Sequence, residues 1–81
     1  MRLYIGNLNY RVKENDLEQL LSNYGTVNSV KIITDRETGK SKGFGFVDME
    51  DNEAAAQAIK ELDGSDLMKR PLVVKEALPR P

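Results

Sequence analysis

The sequence predicts an α+β fold of order βαββαβ, a four-stranded antiparallel sheet with two helices packed on one face. Three observations carry the prediction. Runs rich in β-branched and aromatic residues lie near both ends of the chain and as a pair in its middle. Two apolar stripes at helical spacing separate them. With 81 residues there is room for one core, and only enough helix to cover one side of a sheet.

Taken in order, residues 2 to 6 alternate, with Leu3 and Ile5 on one side and Arg2 and Tyr4 on the other, before Gly6-Asn7 breaks the strand. From Asp16 to Tyr24 the residues Leu17, Leu20, Leu21 and Tyr24 fall at i, i+3, i+4 and i+7, an amphipathic helix for which Gly25 is the expected left-handed cap. Val27, Val30, Ile32, Ile33 and Thr34 mark a second strand over 27 to 34. The polar loop Asp35-Arg36-Glu37-Thr38-Gly39 then turns the chain into a third strand, Lys42 to Met49. Asp51 is placed to cap a second helix, whose stripe is Ala55, Ala58, Ile59 and Leu62 and whose end is Asp63-Gly64. Pro71 precedes the last strand, Leu72 to Glu76. No linker or repeat interrupts this order, so residues 1–78 form one domain and 79–81 a short tail.

The third strand carries apolar groups on both faces. Val47 and Met49 suit the side under the helices, which leaves Phe44 and Phe46 facing water, and Tyr4 repeats the anomaly on the first strand. Burying a Phe stabilises by roughly 1.5–3 kcal/mol, so leaving two exposed forgoes that gain until a partner covers them. By the same alternation Arg2, Lys31 and Lys75 share the aromatic side, with Lys42 two residues before Phe44. Arg36 and Lys40 lie in the charged loop, where they can reach a ligand's backbone.

Twelve basic and thirteen acidic residues give a net charge of -1, against a uniformly basic nucleic-acid binder. The signs are nevertheless segregated. Lys31 to Lys42 holds four basic and two acidic residues, whereas Asp48 to Asp66 holds seven acidic residues and one lysine. With no cysteine and no histidine, thiolate metal sites, disulfides and histidine-based triads are excluded. The N-terminal residues begin a strand at once, without a basic leader and long apolar run, so a cytoplasmic location and no membrane association are expected.

Lys42-Gly43-Phe44-Gly45-Phe46-Val47-Asp48-Met49 matches the octapeptide of the RNA recognition motif family, departing only at Met49, where an aromatic is usual. Leu3-Tyr4-Ile5-Gly6-Asn7-Leu8 resembles the family's hexapeptide on the first strand. Nearly the whole chain is similar to this family, and most of all to its small single-motif bacterial members. The resemblance implies a ferredoxin-like fold and binding of single-stranded RNA, or by the same chemistry single-stranded DNA. It implies that Tyr4 and Phe44 stack on successive bases and Phe46 lies against ribose, with Asn7 belonging to the site and basic groups meeting phosphates. Stacking at roughly 1–3 kcal/mol per base makes a lone domain a binder of about micromolar strength. A monomer with no cofactor, no metal and no small-molecule substrate is expected.

Other motifs fall short. Gly39-Lys40-Ser41 resembles the end of a phosphate-binding loop, but Thr34 stands where its first glycine belongs and a strand follows. Gly43 and Gly45 lack the third glycine of a dinucleotide site, since position 48 is Asp48. Asp48, Glu50, Asp51 and Glu53 read as a solvated helix start favoured by the helix dipole. Two other functions share the fold. A protein-interaction module is motivated by the net acidity, and an acylphosphatase-like hydrolase rests on topology alone.

Overall fold

The computed structural model describes residues 1–77; the expected boundary at 78 and tail at 79–81 lie outside the described residues. Its elements are β1 (Arg2–Gly6), α1 (Glu14–Ser22), β2 (Val27–Thr34), β3 (Ser41–Met49), α2 (Asn52–Leu62), β4 (Asp66–Leu67), β5 (Arg70–Pro71) and β6 (Val73–Glu76). The main sheet has the order β2-β3-β1-β6, antiparallel throughout.

Alternation decides what the sheet buries. Leu3 and Ile5 from β1, Val47 and Met49 from β3 and Val74 from β6 are fully covered, and they meet Leu17 and Leu21 of α1 and Ala55, Ala58 and Leu62 of α2. Leu8, Val12 and Leu72, from the connections, complete the core. Among the described residues no polar or charged residue is buried, so both helices cover one apolar face and the opposite face is left to solvent.

Four local details differ from the sequence reading. Helix α1 begins at Glu14, two residues before the expected Asp16, because its first turn is polar: the Asp16 carboxylate accepts the Lys13 backbone N–H at 2.9 Å, and acidic groups there complement the helix dipole. The helix ends on Asn23 in right-handed conformation (φ -65°, ψ -19°), so Tyr24 lies beyond it and Gly25 is no left-handed cap. Gly25 is needed instead for close approach, since a Cβ there would stand 2.7 Å from the Ala54 Cβ of α2. Third, β6 begins at Val73, one residue later than expected. Before it comes an additional hairpin, β4 with β5, turning through Met68 (φ 50°) and Lys69 (φ 69°). Such turns usually carry glycine or asparagine, and neither stands at 68 or 69, so the hairpin has no turn signal in the sequence.

Helix α2 starts as expected, with the Asp51 carboxylate accepting the Glu53 N–H at 2.8 Å. Asp48 does not belong to this helix start. It lies on β3, two residues past Phe46, and points to the open face of the sheet.

Candidate nucleic-acid interface

Strand pairing builds the open face in rows, because directly opposed residues in a sheet project to the same side. Phe46 pairs with Lys31 across β2 and with Tyr4 across β1, and Tyr4 pairs in turn with Lys75 on β6. One row therefore reads Lys31, Phe46, Tyr4, Lys75: two aromatic rings flanked by two lysines. The neighbouring row joins Ser29, Asp48 and Arg2.

Phe44 completes the aromatic group. The ring centroids of Tyr4 lie 5.9 Å from both Phe44 and Phe46, and those of Phe44 and Phe46 lie 6.3 Å apart. Tyr4 and Phe44 are tilted by 33°, while Phe46 stands edge-on, at 63° to Tyr4 and 89° to Phe44. Each ring is half-buried by its neighbours and open on the solvent side, a surface with room for planar groups.

Of the basic residues singled out in the sequence, the structure brings Arg2, Lys31 and Lys75 to this face. The Arg2 guanidinium is 5.8 Å from the Phe46 ring centroid. Lys42 and Lys40 border, with Phe44, an open depression of about 560 Å³ at one edge of the face. Arg36 is exposed on the β2–β3 loop and is not among the residues lining that depression. Asn7 sits at the end of β1 in a left-handed conformation (φ 55°). Its side-chain amide donates to the Pro71 carbonyl at 2.7 Å, fastening β1 to β5.

Three side chains at the interface were missed in the sequence. Asp48 accepts from the Ser29 hydroxyl at 2.9 Å and from Arg2 Nε at 3.3 Å, and these contacts, the Ser29 bond foremost, hold its carboxyl below the usual value near 3.8. The alternation that pairs Phe44 with Phe46 already assigns Asp48 to the same face. Tyr10, on the loop after β1, is 67% exposed and lines the same depression as Lys42 and Phe44. Arg70, from β5, places its guanidinium 5.8 Å from the Tyr10 centroid. Neither belongs to a periodic pattern, and no spacing in the sequence could have found them.

Residues 3–73 match the RNA recognition motif family, and the chain belongs to it. The protein RbpE of Nostoc sp. (strain PCC 7120 / SAG 25.82 / UTEX 2576) is 50% identical over 80 residues, covering 99% of this chain and 81% of its own. The crystal structure of RNA Binding Protein PG1 superposes with a TM-score of 0.96 at 59% identity, covering 100% of this chain and 98% of that one. A Sxl-lethal protein/RNA complex is similar at a TM-score of 0.92 and 30% identity, over 99% of this chain and 48% of that one.

Proposed function

We propose that this chain binds single-stranded RNA, and does so without catalysing a reaction. The observation that carries the reading is the group formed by Tyr4, Phe44 and Phe46, whose centroids lie 5.9 to 6.3 Å apart on the uncovered sheet face with Lys31 and Lys75 at the two ends of one row. Aromatic faces accept any base by stacking, at roughly 1–3 kcal/mol per base, and flanking cations meet the phosphates. Membership in the RNA recognition motif family and similarity to a protein solved in complex with RNA support it.

Within this reading Tyr4, Phe44 and Phe46 are the stacking platform, and Arg2, Lys31, Lys75, Lys42, Lys40 and Arg36 are phosphate-directed cations. Asn7 acts through the backbone it fastens. Single-stranded DNA, which offers the same base faces and phosphates, is a second ligand of the same surface. The test is titration of a labelled single-stranded RNA pool with the wild type and with Phe44→Ala/Phe46→Ala, alongside circular dichroism. Binding of about micromolar strength that the folded double variant lacks supports the proposal, and equal binding by both proteins overturns it.

A further inference from the structure

We infer that the outer edge of β2 is a pairing surface for β2 of a second copy of this chain, and that the Glu14 carboxylate is the gate that holds it shut. The inference concerns the edge of the sheet and stands apart from the RNA-binding reading. β2 is one of the two edge strands, so alternate residues turn their backbone N–H and C=O away from β3. Ile32 is one of them, and its N–H donates to Glu14 Oε2 at 3.2 Å. Glu14 is the first residue of α1. Among the described residues, no other hydrogen bond from outside the sheet reaches the β2 backbone.

The strand behind this gate is of a kind that pairs readily. Val27–Thr34 holds five β-branched residues, a single charge at Lys31 and no proline, and such an edge is liable to accept another strand. Space lies along it. Glu14 walls two open depressions, one of about 330 Å³ against Ile32 and Thr34 and one of about 630 Å³ against Val30, Lys31 and Ile33. A strand laid along β2 enters both and displaces the exposed Glu14 side chain between them.

The geometry suits a second copy. Asn28 interrupts the register with β3 at one end of β2, whereas beyond Ile32 the extra residues lie on β3, so residues 29–34 form a short regular edge whose pairing is weak. An antiparallel pair with its two-fold axis at Ile32 sets Lys31 of each copy opposite Ile33 of the other, so no like charges meet. Each Ile32 N–H then exchanges its bond to Glu14 for one to the Ile32 carbonyl across the axis. The opposite edge of the sheet is closed more fully. β6 has four residues, the Asp63 carboxylate accepts the Val74 N–H at 3.0 Å, and Leu72 just before it is tied to Ser65 and Gly64 by backbone bonds of 2.8 and 2.7 Å.

The test is sedimentation velocity of the full chain without RNA, for the wild type, Glu14→Ala and Glu14→Ala/Ile33→Lys, at concentrations up to about 1 mM, where weak dimers populate. Circular dichroism checks that each variant keeps its fold. Removing the gate is expected to tighten self-association by about 5-fold for each of the two Glu14 bonds released. The Ile32 amide of Glu14→Ala is expected to exchange its hydrogen slowly at high concentration and fast at low, which a merely structural role for Glu14 would not produce. Glu14→Gln, which keeps an acceptor oxygen, is expected to behave as the wild type. Ile33→Lys sets lysine against lysine across the axis and is expected to return the Glu14→Ala chain to monomer. A folded Glu14→Ala chain that associates no more than the wild type, or a dimer that Ile33→Lys leaves intact, overturns the inference.

Discussion

Arg2 and Asp48 face each other across β1 and β3, Nε donating to Oδ1 at 3.3 Å, with the Arg2 guanidinium 5.8 Å from the Phe46 ring. The pair puts a carboxylate on a surface that otherwise offers cations and rings. It occupies a guanidinium that would serve a phosphate, and it repels one itself. Asp48→Asn is expected to tighten RNA binding severalfold at low salt and to steepen the log-log salt slope by about 0.7, one more phosphate engaged. Titration at several salt concentrations checks this, and weaker binding by the variant would show that the carboxylate contacts the RNA favourably.

The same pair makes stability depend on acidity. The Ser29 bond and Arg2 lower the Asp48 pKa in the folded state. A group depressed on folding contributes stability that is present above its unfolded value, near 3.8, and is lost as pH falls through the folded value. The side chain is 37% exposed, so the contribution is small. Denaturant unfolding from neutral pH into the acid range is expected to fall less steeply for Asp48→Asn than for the wild type.

Gly25 offers a test of packing away from the RNA face. Its Cβ would meet the Ala54 Cβ at 2.7 Å, and neither group can rotate away, so α2 or the turn after α1 must shift. Gly25→Ala is expected to destabilise the domain by about 1–3 kcal/mol, measured by urea denaturation. RNA affinity measured where the variant is fully folded should be close to that of the wild type, because the contact lies on the helix side of the sheet.

Lys31 and Lys75 bracket the ring row from β2 and β6. Lys31→Gln and Lys75→Gln are each expected to weaken binding and to lower the salt slope by about 0.7. Salt-independent losses would assign these lysines to base or packing contacts instead.

Period-two alternation made most of this face legible. Once Val47 and Met49 were assigned to the core, the side holding Tyr4, Phe44, Phe46, Arg2, Lys31 and Lys75 followed, and the strand register agrees. Asp48 was legible by the same rule, but its acidic neighbours at the start of α2 drew it into the wrong group. What could not be read were features set by tertiary contact. Gly25 looked like a helix cap because the sequence does not show Ala54 behind it. The β4–β5 hairpin turns through Met68 and Lys69, which carry no turn signal. Tyr10 and Arg70 are 60 positions apart by number and meet only because β5 folds back beside the loop after β1.

RNA binding by this chain is proposed to run through the half-buried rings of β1 and β3. Its most direct test is fluorescence anisotropy of a labelled single-stranded RNA pool against wild type and Phe44→Ala/Phe46→Ala, at low and moderate salt. Salt-sensitive binding of about micromolar strength by the wild type is expected, lost in a double variant that keeps its fold. Undiminished binding by that folded variant would contradict it.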